Sequence, residues 1–175
     1  MDTGGEAAGT AETGDGKVVP QERLPALVAA LRRQGKKIVL TNGCFDLLHV
    51  GHLRSLRAAR AEGDVLLVAI NSDASVRANK GADYPVVPEG ERAEMLAAYP
   101  FVDQVFLFSE RTLDRLILLL QPDVHAKGTD YSAASVPERE AVLSYGGRIA
   151  ITGDPKNHSS RDLIRIIVER FGSRG

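Results

Sequence analysis

From residue 17 onward, the hydrophobic and polar positions switch repeatedly between helical and extended spacing. Gln21–Gln34 carries the pattern of a helix stopped by Gly35, and Lys36–Asn42 (KKIVLTN) is a short β-branched run. Val50–Glu62 is again helical and is stopped by Gly63. Val65–Asn71 (VLLVAIN) is apolar on both faces, as in a central strand of a parallel sheet. Further helices are predicted over Pro88–Tyr99, with Pro88 as a first-turn proline, Thr112–Gln121, Pro137–Tyr145 and Ser160–Phe171. Further strands are predicted over Val105–Phe108, Asp123–Lys127 and Arg148–Thr152. Five strands separated by helices imply an α/β, doubly wound sheet of about five parallel strands. Ligands in such sheets sit beyond the carboxyl ends of the strands, at the switch point.

Composition narrows the function classes. The chain has 175 residues, enough for one domain with a real core, and its longest apolar runs are far short of a membrane span. Residues 1–16 hold four acids, no base and five glycines, so they read as a disordered tail ahead of a domain over residues 17–175. Without that tail, 22 basic and 19 acidic residues leave a body of +3. So small an excess argues against a nucleic-acid partner but suits a small polyanion. One cysteine excludes an internal disulfide and a multi-thiolate zinc site. With no basic-then-apolar leader pattern, the expected location is cytoplasmic, with no membrane partner.

The chemistry concentrates after the first strand. Thr41-Asn42-Gly43-Cys44-Phe45-Asp46 is followed by Leu47-Leu48-His49-Val50-Gly51-His52 and a helix. Neither the dinucleotide fingerprint nor the P-loop motif is present. Two histidines three apart instead fall on one side of a first helical turn, where unpaired N–H groups and the dipole favour an anion. Gly51 removes the side chain that would block close approach. These features describe a phosphate cradle. Competing readings are a zinc pair with Cys44 and two surface histidines without a task, but neither explains the residues that precede the pair.

Thr41–His52 resembles the signature of the HxGH nucleotidylyltransferase superfamily, the cytidylyltransferase-like proteins. Further matches are Ala69–Asp73, Lys80-Gly81, Glu91-Arg92, Lys127–Tyr131 and Ser159-Ser160. In this order they resemble the adenylyltransferase half of bifunctional heptose kinase/adenylyltransferases, over about residues 30–170, with the kinase half absent. The resemblance implies a Rossmann-like fold and transfer of AMP from ATP to a heptose 1-phosphate, giving ADP-heptose and pyrophosphate for cell-envelope glycan. It also implies Mg²⁺ on the departing pyrophosphate and a homodimer.

By the same resemblance, His49 and His52 would hold the α- and β-phosphates, while Lys80, on a mobile loop over Ala78–Asp83, would close over the triphosphate. Thr41, Asn42, Gly43, Cys44, Phe45 and Gly51 would line the nucleotide. Arg92, Lys127, Gly128, Asp130, Lys156, Ser159 and Ser160 would add nucleotide contacts. Asn71, Asp73 and Tyr131 would face the acceptor, and Asp46 would orient the loop or an imidazole on that side. Local competitors are a surface charge pair for Arg92 with Glu91 and Glu94, a helix cap for Asp73, and capping alone for Ser159-Ser160.

Two departures stand out. His125 replaces a usual apolar residue and falls on the face of Lys127, where it reads first as a partly buried, satisfied histidine and otherwise as a group that tunes that lysine or contacts ligand. Arg161 stands where relatives tend to have a hydroxyl, with Ser160 keeping the cap. Arg54, Arg57 and Arg60 form a stripe that reads as a solvated face, and Cys44 needs no thiol chemistry. The alternatives are a cytidylyltransferase for glycerol 3-phosphate or a phosphorylated amino alcohol, and a non-catalytic nucleotide-binding protein.

Overall fold

A computed structural model describes residues 16–155 and 159–172. Five strands form one sheet: β1 (Ile38–Gly43), β2 (Val65–Asn71), β3 (Gln104–Phe108), β4 (Val124–Gly128) and β5 (Arg148–Thr152). Their order is β3-β2-β1-β4-β5 and every pairing is parallel. From β1 the chain builds outward to β3, then crosses back to place β4 on the other side of β1. The strand order therefore reverses between β1 and β4, where Thr41 pairs with both Val68 and Ala126.

Helices α1 (Leu24–Arg33), α5 (Asp114–Leu120) and α6 (Arg139–Ser144) cover one face, and α2 (Val50–Arg60) and α4 (Glu89–Ala97) cover the other. Period two sorts β1 between them: Val39 enters the α2/α4 core, and Ile38 and Leu40 enter the α1/α5/α6 core. With both faces buried, β2 has no solvent side, which is why its sequence is apolar throughout. The outer edge of β3 is met by the chain's first described segment, with Val105 N–H donating to Lys17 and Val19 N–H to Val105.

Most boundaries move by one to three residues from the sequence expectation, and three differences stand out. A 3-10 turn over Gln21–Arg23 precedes α1, because Pro25 fits a first helical turn and lacks the N–H that earlier α pairing would need. Pro88 is the N-cap of α4, with extended ψ, and not its first helical residue. The stretch beginning at Asp73 is a full helix, α3 (Asp73–Lys80), capped by Ser72. The last helix, α7 (Ser160–Phe171), buries no residue. Among the described residues, no helix is long and apolar enough to cross a membrane.

Candidate active site

A cleft of ≈ 580 Å³ opens at the carboxyl ends of β1 and β4, where the strand order reverses. Its floor is the end of β1 and the loop into α2. Phe45 sits there at φ 49, a left-handed conformation that costs a non-glycine residue on the order of 1 kcal/mol or more. The surroundings impose it. The Phe45 ring packs into the core, the Cys44 carbonyl accepts from Arg92, and the Asp46 carboxylate accepts from Val86 N and Val87 N at 2.9–3.0 Å. The loop is thereby clamped from both sides.

His49 is the N-cap of α2, and the two histidines form a reciprocal cap. Gly51 N donates to His49 Nδ1 at 3.1 Å, and His49 N donates to His52 Nδ1 at 3.4 Å. Both Nδ1 atoms are therefore acceptors, which puts the proton of each neutral ring on Nε2. The rings lie 4.0 Å apart. Burial first, then the neighbouring His49 and Lys80, lower the His52 pKa to about 4, against an opposing pull from Asp130. At neutral pH His52 therefore offers an N–H donor without burying a charge.

Lys80 closes α3, just before Gly81 at φ 104, and reaches the cleft 6.0 Å from the Tyr84 ring. It stands at a helix end and not within a loop, because Ser72 supplies a side-chain cap that starts a helix there. On the opposite wall, Lys127 is 6% exposed. Its Nζ donates to Asn42 Oδ1 at 3.0 Å and lies 4.8 Å from the Tyr131 ring. A Cβ at Gly128 would meet nothing within 4 Å, so this backbone is open to a ligand. The third wall is the turn between β5 and α7. Gly153 adopts φ +100 there, and a Cβ would come within 3.1 Å of Ser55 Cα, so glycine is required for the turn to reach α2.

Thr41, Asn42, Gly43, Cys44, Phe45, Asp46, His49, Gly51, His52, Asn71, Lys80, Lys127, Gly128, Asp130, Tyr131, Ser159 and Ser160 all line this one cleft. Arg92 and Asp73 do not. Arg92 is fully buried and donates to the carbonyls of Val87, Cys44 and Asn71 and to the Asp73 carboxylate. It is neither a surface charge nor a ligand contact but a strut joining three segments behind the cleft. Asp73 is its ion-pair partner at 2.7 Å, and Ser72, not Asp73, caps α3.

Ser159, not Ser160, caps α7, while the Ser160 hydroxyl donates to Leu47 O at 2.8 Å and ties α7 to the β1–α2 loop. The Asp46 carboxylate orients the loop at Val86–Val87 and contacts no imidazole among its hydrogen bonds. Lys156 lies outside the described residues. The arginine stripe is not merely solvated. Arg54 pairs with Asp154 at 2.7 Å on the cleft rim, Arg57 lies over the Phe101 ring, and Arg60 pairs with Asp103. Burial pushes the Cys44 thiol up, so it is no ready nucleophile.

Sequence reading passed over Ser55, Tyr84, Thr129 and Asp154 in the lining, and Glu138 beneath it. Glu138 faces both Lys127 and His125, and His125 is fully buried with no ordinary hydrogen bond. Only folding brings the turn before α6 under β4, so no local pattern marks Glu138.

A doubly wound sheet with its cleft at the switch point, floored by a histidine-capped helix, defines a Rossmann-like class without a glycine-rich fingerprint. The chain belongs to the cytidylyltransferase-like family, whose model matches residues 40–164. It is 48% identical over 159 residues to "Bifunctional protein HldE" of Geotalea uraniireducens, covering 91% of this chain and 32% of that protein. It is 51% identical over 148 residues to the protein of that name from Koribacter versatilis, covering 85% and 30%. The chain thus spans about a third of the length of these relatives. Among solved structures, the lipopolysaccharide core biosynthesis protein of Thermoplasma volcanium aligns with a TM-score of 0.61 and 25% identity, over 70% of this chain and all of that one.

Proposed function

We propose that this chain is a nucleotidyltransferase that moves AMP from ATP to a heptose 1-phosphate, yielding ADP-heptose and pyrophosphate. The observation that carries this reading is the imidazole pair that caps α2 at the cleft floor, with both Nδ1 atoms accepting from backbone N–H groups. The sugar phosphate oxygen attacks the α-phosphorus, a P–O bond forms, and the bond to the bridging oxygen breaks as pyrophosphate departs. No covalent enzyme intermediate is required, so catalysis is positioning and charge stabilisation.

In this reading His49 and His52 donate to the α- and β-phosphates, where charge builds during displacement. Lys80 brings a compact positive charge from the α3 side to the attacking and leaving oxygens. The Thr41–Phe45 backbone and Gly51 line the nucleotide. The N-terminus of α7 at Ser159-Ser160 offers backbone donors to its phosphates, as does Gly128. Lys127, Asn42, Asp130 and Tyr131 form the wall facing the phosphates and sugar, and Asn71 faces the acceptor. Among the described residues no three His, Cys, Asp or Glu side chains converge to hold a metal. Mg²⁺ carried on the triphosphate would neutralise charge on the leaving group.

Support for heptose comes from the alignment with HldE proteins and from the downstream motifs at Lys80-Gly81 and Lys127–Tyr131. A cytoplasmic setting follows from the substrates. For the homodimer, α7 is the surface we assign, since its apolar side chains include Val168 at 61% and Ile167 at 53% exposure. Incubation with ATP, Mg²⁺ and heptose 1-phosphate should release pyrophosphate, and no release at saturation rejects the substrate. ATP should raise the unfolding midpoint more than CTP does; the reverse order moves the assignment to a cytidylyltransferase.

A further inference from the structure

Under the Lys127 wall lie two side chains that the proposed reaction does not use, His125 and Glu138. His125 and Lys127 project from the same face of β4, and Glu138, in the turn ahead of α6, meets both. Glu138 Oε2 lies 3.5 Å from His125 Nε2 and 3.7 Å from Lys127 Nζ. The three side chains are almost sealed from solvent, with residue exposures of 0% for His125, 3% for Glu138 and 6% for Lys127. Neither ring nitrogen of His125, nor Glu138 Oε2, completes a hydrogen bond of ordinary geometry among the described residues.

Burying ionisable groups with unspent hydrogen-bonding capacity costs folding free energy that an apolar filler would not cost. The cluster touches the cleft through Lys127, whose ammonium bonds Asn42 Oδ1 and lies beside the Tyr131 ring.

We propose that Glu138 is a positioning residue for anion binding: it holds the Lys127 ammonium at the cleft wall, charged and aligned on Asn42, with His125 as its second neighbour. The anion is a phosphate of the nucleotide or of the sugar phosphate, so the inference rests on the function proposed above. Burial pushes the Lys127 pKa below the ordinary lysine range, and the Glu138 charge is what opposes that push. Burial alone would also raise the Glu138 carboxyl, but contact with His125 and the charge on Lys127 outweigh it and bring it to about 2. Against the ammonium lie Glu138, Tyr131 from the loop after β4 and Asn42 from β1, with Asp130 in the same cleft wall. On the β5 side, Thr152 Oγ1 meets Lys127 at its backbone carbonyl.

The test is the titration of Lys127 followed by NMR of its side chain in the wild type, E138Q and E138D. Removing the carboxylate should lower the lysine titration by about one pH unit or more, with E138D falling between. Separate titrations with ATP and with heptose 1-phosphate then assign the contact. As pH rises, the affinity of E138Q for the ligand that Lys127 holds should fall off at a lower pH than that of the wild type, by the same interval as the lysine titration moves. An E138Q lysine that titrates with the wild type overturns the proposal. K127M gives the same coupling from the other side, since it should raise the Glu138 carboxyl titration by a matching amount. An unmoved Glu138 in K127M overturns the proposal even where E138Q does not fold. Failure of both ligands to bind the wild type sinks the functional reading but leaves the lysine titration to decide on Glu138.

Discussion

Each imidazole of the pair works through opposite nitrogens. Nδ1 of His49 and of His52 caps the start of α2, and in the proposed reaction Nε2 is the nitrogen that meets a phosphate. The two tasks are separable, because asparagine is a strong N-cap and glutamine at the third helical position completes a capping box. His49→Asn and His52→Gln should therefore unfold within about 0.5 kcal/mol of wild type. Each should nevertheless lose about 10²–10³-fold in turnover, the cost of removing one donor from a developing charge. His49→Ala should lose about 1 kcal/mol of stability as well. Asn and Gln variants that keep turnover within tenfold would reduce the pair to helix caps. The spacing of the histidines is visible in the chain, as is the helix they open. Their tautomer is not, because it depends on which backbone N–H meets which nitrogen.

At the scale of elements, Arg92 shows why some of the site escapes a linear reading. Beside Glu91 and Glu94 it looks like a surface charge, yet it is fully buried and joins the β1–α2 loop, the end of β2, the start of α3 and the segment ending at Val87. Its partners are 5 to 48 residues away, so no local pattern encodes them. Strands and helices were legible because period 2 and period 3.6 are local, and all five strands fall where the apolar runs predict. The helical state of Asp73–Lys80 was less so, since it rests on the Ser72 cap and on tertiary contact from Glu89 to Asp73 N. Arg92→Met should destabilise the fold by about 3–5 kcal/mol, because it leaves Asp73 and three carbonyls without their donor. Arg92→Lys should recover little, since a point charge cannot reach four acceptors laid out for a planar fork. Denaturant titration of both variants checks this. A lysine variant as stable as wild type would mean that charge alone, and not the fork, holds these segments together.

For the molecule as a whole, two groups make stability depend on pH through the same cleft, in different windows. His52 titrates near 4 when folded against 6.5 as the reference, so between those values the unfolded chain binds the extra proton. Acidification through that window therefore favours unfolding, and the loss is complete once pH falls below the folded value. Glu138 is depressed from 4.5 to about 2, so its contribution is present above 4.5 and disappears as pH falls toward 2. The expected curve is a decline with two components, one starting below neutrality and one starting near the ordinary carboxylate range. The His52 component should amount to about 3 kcal/mol, roughly 6–12 °C in midpoint for a chain of this size. His52→Gln should flatten the curve between pH 6.5 and 4 and leave the lower limb intact. Glu138→Gln should do the opposite. Calorimetric scans from pH 7.5 to 3 separate them, and a His52→Gln variant as acid-sensitive as wild type above pH 5 would place the upper component elsewhere. The two windows also bind stability to function, because the burial that makes His52 a neutral donor at neutral pH is what makes the fold lose ground in acid.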